Sequence, residues 1–272
     1  MNKISAKNIA KLTKFNLFTT RKVIIGWTVC LFAIMSLYMI LFPTVQDIAQ
    51  VKFELMPTEL LQFVGMEDLS DMSNYMNYYG IIYGIILIAI SIFATTYSSG
   101  LIIKEEKTKS IEFLNSLFVS KTEIFIAKYF TSTIAIALVA TACILSVIGC
   151  GLINGGETFS LVDVFYSAKI TSFTPLLFGV IALMLSGISY RYGTPAISSM
   201  VVVTSYMLGY LGQLLGDKAE WLLYFSPFIT LSVEKAIALS NETMIMIGVY
   251  LFIYLSSIII GCIAYQKRDL VI

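Results

Sequence analysis

Residues 101–129 read LIIKEEKTKSIEFLNSLFVSKTEIFIAKY, a charged stretch between two long apolar runs. On a helix turning about 100° per residue, Glu105, Lys109, Glu112 and Ser116 recur at i, i+4, i+7 and i+11, with Ile111, Leu114 and Phe118 on the other side. The spacing predicts an amphipathic helix tied to an apolar segment at each end. A solvated connection needs only turn chemistry, so a built two-faced helix implies that something docks on it or moves it.

The surroundings set the class. The chain has 272 residues, 58% hydrophobic and 13% charged, with mean hydropathy +0.85; soluble domains carry roughly 25% charged residues. This composition predicts an all-α polytopic membrane protein. There is no histidine, which excludes an imidazole base or a His-ligated metal. Cys30, Cys143, Cys150 and Cys262 all lie in apolar runs and read as small buried hydrophobes. Cys143 and Cys150 share a helix face, but two soft ligands without a third do not make a metal site. No glycine is followed by lysine, so no Walker-type phosphate loop is present, and there is no G-x-S-x-G, H-E-x-x-H or CxxC. No catalytic, cofactor-binding or metal-binding residue is assigned, and no enzyme activity or nucleic-acid partner is expected.

Six charge-free runs are long enough to cross the roughly 30 Å hydrocarbon core, at 23–42, 79–103, 130–153, 170–190, 195–215 and 244–265. An even number puts both termini on one side. That side then holds fourteen of the eighteen Lys and Arg residues, leaving Lys52, Lys169, Lys218 and Lys235 on the other. The positive-inside asymmetry predicts cytoplasmic termini and a cytoplasmic 104–128 segment. Residues 1–22 place Lys3, Lys7, Lys11, Lys14, Arg21 and Lys22 in one helical arc, with Ile9, Leu12 and Phe15 assigned to the opposite edge. This reads either as a helix lying on the inner leaflet, in contact with membrane lipids, or as a plain topogenic signal. Residues 43–78, with six acids and one lysine, read as an external cap. The 216–243 connection, broken at Pro227 and too short in its apolar core to cross, reads as a re-entrant or interfacial segment. Trp221, Tyr224 and Phe225 would suit the headgroup level there.

The second and fifth runs are the most polar. One carries Tyr79, Tyr83, Thr95, Thr96, Tyr97, Ser98 and Ser99; the other carries Ser198, Ser199, Thr204, Ser205, Tyr206, Tyr210 and Gln213. Hydroxyls in a span need partners or water, so these helices face protein or a cavity, and plain interhelical hydrogen bonding would also account for them. No run holds an ionisable residue and no internal repeat is evident, which speaks against an ion-coupled carrier.

The stretch from Glu105 to Lys121, continuing to Ile124 and Lys128, resembles the signature of type-2 ABC exporter permeases: E-[KR]-x-x-G-[ST]-apolar-E-x-L-L-[SA]-x-P-[VI]-[ST]-[RK], between the second and third of six spans. Lys109 replaces the family's glycine and Phe118 its proline. The basic N-terminal helix and the broken segment before the last span resemble that family too. The resemblance implies a permease paired with a second copy or a paralogue and with two copies of a separate ABC ATPase, which would hold ATP and Mg. Glu105, Glu106, Lys107, Ile111, Glu112 and Leu114 would couple to that ATPase. Tyr79, Tyr83, Thr95, Thr96, Ser199, Thr204, Tyr206 and Tyr210 would line the route of an amphipathic cargo (peptide, antibiotic or lipid-like molecule) leaving across a bacterial cytoplasmic membrane. A cargo-free membrane sensor or assembly factor, and an ATP-independent carrier, are the alternatives.

Overall fold

The computed structural model describes residues 5–52, 73–107, 119–189 and 194–267. Among these, the elements are helices: α1 (Ala6–Ile40), α2 (Phe42–Lys52), α3 (Tyr75–Lys107), α4 (Lys121–Asn154), α5 (Leu161–Thr171), α6 (Phe173–Ile188), α7 (Thr194–Leu215), α8 (Pro227–Thr230), α9 (Val233–Ala238) and α10 (Asn241–Lys267), with short 3-10 turns between some of them. Six helical stretches are long and apolar enough to cross a membrane: Ala6–Asp47, Tyr75–Ile103, Lys121–Asn154, Leu161–Ile188, Thr194–Leu215 and Asn241–Lys267. The all-α, six-span architecture expected from the sequence is therefore present.

The basic N-terminal segment is not a separate element. It is continuous with the first span in the 35-residue α1, which at 1.5 Å per residue is about 52 Å long and outruns the hydrocarbon core. Thr13, Ile24, Leu31, Met35 and Met39 are its buried positions, a stripe at near-helical spacing that lies along α4. Leu12 packs inward, but Phe15, expected with it on the edge opposite the lysines, is 64% exposed among them.

The second and fourth spans form the centre. In the apolar windows, 50% of α3 and 61% of α5–α6 are buried, against 22% of α1 and of α10. α3 packs on α6 and α7, and α6 on α10. The second span starts at Tyr75, earlier than expected, and draws that residue into the core. Tyr75 is fully buried, its OH donating to Val147 O (2.7 Å) and its ring edge-on to Phe42. The region expected as a cap begins with α2, whose Gln46 donates to Ser73 O (3.2 Å); residues 53–72 lie outside the described residues.

The fourth span also starts early, at Leu161, and includes Lys169, which had been assigned to an outer connection. It breaks between Thr171 and Phe173. Pro175 explains the break, because its ring opposes the carbonyl four residues earlier and it brings no N–H to the ladder. α6 and α10 then meet backbone to backbone: a Cβ on Gly187 would stand 3.0 Å from Gly261 O.

Between α7 and α10 the chain runs through 3-10 turns at Gly216–Lys218 and Glu220–Phe225, then α8 and α9. Side chains from the flanking spans satisfy its backbone. Ser205 donates to Phe225 O (2.7 Å), Tyr250 OH to Tyr224 O (3.0 Å), and Thr230 shares a hydrogen bond with Tyr250 OH (2.9 Å). Irregular backbone survives in an apolar setting only when protein supplies such partners.

Candidate functional site

The charged segment of 101–129 is not one helix. α3 is described as far as Lys107, residues 119 and 120 are non-helical, and α4 begins at Lys121. Glu105, Glu106 and Lys107 occupy the last described turn of α3; Ile111, Glu112 and Leu114 lie outside the described residues.

What the structure does place is the base on which this segment stands. Ser120 caps α4 in a capping box: its side chain accepts from Glu123 N (3.2 Å), and Ser120 N donates to Glu123 Oε2 (2.8 Å). The pattern satisfies two of the N–H groups a helix start leaves open. The other oxygen of the same carboxylate, Glu123 Oε1, accepts the backbone N–H of Ser5 at 2.7 Å. One carboxylate thus joins the start of the chain to the start of the third span. Two turns farther along, Thr13 donates to Ala127 O (3.3 Å).

The end of the last span closes the same knot. Lys121 Nζ donates to Gln266 O (3.4 Å), and Gln266 Nε2 to Thr122 Oγ1 (2.9 Å). Beneath these bonds Ile102, Ile124, Phe125, Leu183 and Tyr265 form an apolar cluster. Lys128, 1% exposed, directs its ammonium to 5.2 Å from the Tyr265 ring centre, a cation–π distance. The first, second, third, fourth and last spans therefore meet where the charged segment emerges. Sequence reasoning passed over Glu123, although S-x-x-E at Ser120–Glu123 is a capping-box signature.

The hydroxyl-bearing residues divide into buried and outward sets. Tyr79 and Tyr83 are fully buried with rings 5.4 Å apart, and Tyr79 OH lies 3.4 Å from Ser167 Oγ in α5. Thr95 is 1% exposed and meets Ser199 Oγ across α3 and α7 at 3.3 Å; one turn on, Ser99 donates to Ser198 Oγ (3.2 Å). Thr96 and Ser199 are half-buried and bond their own helices, at Ile92 O (2.7 Å) and Pro195 O (2.9 Å). Tyr206 is half-buried, edge-on to Phe228 (5.9 Å), and Tyr210 is half-buried. Thr204 alone of the set is exposed, on an outer stripe of α7 with Met200, Met207 and Leu211. Tyr79, Tyr83 and Thr95 are thus buried within the single subunit.

Residues 14–266 match the family described as multidrug efflux system permease Rv1217c, C-terminal domain. The chain belongs to this permease family. The match begins in the basic part of α1, just after Thr13, and ends at Gln266, so it takes in all six spans and the α4 and α10 sides of the knot. The protein is thereby a multi-pass membrane transport permease. No curated protein matches the chain.

Proposed function

We propose that this permease is the membrane subunit of an ATP-driven exporter and is opened and closed from the cytoplasm by a separate ABC ATPase that docks on the 104–128 segment. Two ATPase copies would bind ATP and Mg and act on a pair of permeases, either two copies of this chain or this chain and a paralogue. The cargo would be amphipathic: a peptide, an antibiotic or a lipid-like molecule. The membrane would be the bacterial cytoplasmic membrane, with both termini inside.

The observation that carries this reading is the convergence of Ser5, Glu123, Thr122 and Gln266 at the point where the charged segment joins α4. A loop that merely connected two spans would not need its base bonded to both the first and the last span. Such an arrangement turns force on a short lever into tilt of packed helices, and charges on the lever set the register of docking. Glu105, Glu106, Lys107, Ile111, Glu112 and Leu114 are the proposed docking residues. The α3–α7 seam, with Thr95 and Ser199 at its centre, is the proposed gate.

Purification of the affinity-tagged permease from its native membrane tests the proposal. ATP hydrolysis should copurify with it. A tagged protein that brings down no ATPase and transports under an ion gradient alone would be a carrier instead.

A further inference from the structure

The exposed face of α1 carries a pattern that neither helix packing nor ATP coupling uses. Lys11, Lys14, Phe15, Leu17, Phe18 and Arg21 line a groove of about 590 Å³. Phe15 is 64% and Phe18 65% exposed, on the side of the helix away from the buried stripe of Thr13 and Ile24. Leu17 packs against the main core and forms the floor. The Arg21 guanidinium lies 3.7 Å over the Phe18 ring and donates to Phe18 O (3.3 Å), so it stays in the groove. From Ala6 to Ile40 the helix contains no acidic residue, and neither Lys11 nor Lys14 has an acidic partner among the described residues. The apolar run of the first span begins at Val23, immediately after Arg21 and Lys22.

We infer that this groove binds one anionic phospholipid of the leaflet at which α1 enters the membrane. Lys11 and Lys14, one turn apart, place two ammonium groups on the same side, within reach of a single phosphodiester. Arg21 offers a fork of donors to the same headgroup region. Phe15, Phe18 and Leu17 supply an apolar wall for an acyl chain, which explains two aromatic side chains left among cations rather than turned to the core. Charge complementarity selects the occupant: three cations and no acid repel a basic partner and gain nothing specific from a zwitterion. The apolar wall distinguishes a lipid from a soluble phosphate. Because Thr13 and Ser5 on the same helix bind α4 and Glu123, an occupied groove would hold the first span against the knot.

The test uses the full chain in neutral detergent, with thermal unfolding followed in mixed micelles of phosphatidylglycerol or phosphatidylcholine at equal mole fraction. Phosphatidylglycerol should raise Tm by several degrees more than phosphatidylcholine, and glycerol phosphate alone should not. The variant Lys11→Gln/Lys14→Gln/Arg21→Gln, all at exposed positions, should keep its Tm in phosphatidylcholine and lose the extra rise. Lys218→Gln/Lys235→Gln/Lys267→Gln, which removes three exposed cations elsewhere, should retain it. Equal stabilisation by both lipids, an equal rise with glycerol phosphate, persistence of the rise in the groove variant, or its loss in the control variant would overturn the inference. So would a groove variant that splits a dimer, since the face would then cover a second copy.

Discussion

Glu123 Oε1 accepts the backbone N–H of Ser5 at 2.7 Å across 118 positions of sequence, while Oε2 of the same carboxylate closes the helix cap at Ser120. The two oxygens serve two different helices. Glu123→Ala removes both ties and should cost roughly 1–2 kcal/mol, the upper range for a lost helix cap. Glu123→Gln keeps one accepting oxygen and should cost less. Thermal unfolding of the purified permease checks the order wild type, Gln, Ala. An Ala variant as stable as wild type would show that the tie carries no load.

Helix α7 approaches the 220–230 segment so closely that a Cβ on Gly209 would fall 2.4 Å from Ser226 Cβ and 2.8 Å from Ile229 Cγ1. Gly209→Ala should therefore destabilise by about 1–3 kcal/mol through overpacking. Gly248→Ala, on α10 where nothing lies within 4 Å, should be neutral or slightly stabilising. Denaturation midpoints of the two variants separate close approach from a general intolerance of glycine replacement.

The hydroxyls of Tyr129 and Tyr254 share a hydrogen bond of 2.7 Å between α4 and α10. Interhelical hydrogen bonds in membrane proteins average about 0.6 kcal/mol in double-mutant cycles, because the unfolded helices find other partners. The cycle Tyr129→Phe, Tyr254→Phe and the double variant should return a coupling of that order. A coupling above ~2 kcal/mol would mean this pair is isolated from such substitutes.

Single-cysteine labelling tests the orientation inferred from the charge asymmetry. In a background with Cys30, Cys143, Cys150 and Cys262 replaced by Ser or Ala, Lys218→Cys should react with a membrane-impermeant maleimide in whole cells. Lys267→Cys should react only after permeabilisation. Both positions are exposed, so burial does not decide the outcome. The reverse pattern would place the charged 104–128 segment outside and remove the docking site from the cytoplasm.

The architecture was readable because its cause is one-dimensional: hydropathy over about 20 residues sets the spans, and six were found where six were expected. Span ends were less readable. Lys169 lies inside a helix that a charge-free rule cuts short, and Tyr75 inside one that the polar, tyrosine-rich 74–78 stretch cuts short, since a helix continues as long as its backbone bonds close, whatever its side chains. α1 was divided at residue 22 by its change of charge, although nothing there breaks a helix. Phe15 reads as part of the edge opposite the lysines, yet it lies exposed beside them, and packing along α4 uses Thr13. The Ser5–Glu123 tie joins the first helix to the third and leaves no local pattern on the Ser5 side; only its capping half was legible. Tyr79 and Thr95 carry hydroxyls that need partners, and sequence alone does not name Ser167 and Ser199 as the side chains that meet them.

The most direct test of a permease driven through its cytoplasmic lever is the amount of ABC ATPase that copurifies with tagged wild type and with tagged Glu112→Lys. Reversing one charge on the proposed docking face should leave the permease inserted and as thermally stable as wild type, yet cut the ATPase recovered with it by about tenfold, which is about 1.4 kcal/mol of lost docking. Full recovery of the ATPase with Glu112→Lys, at unchanged permease yield, would contradict docking on this segment.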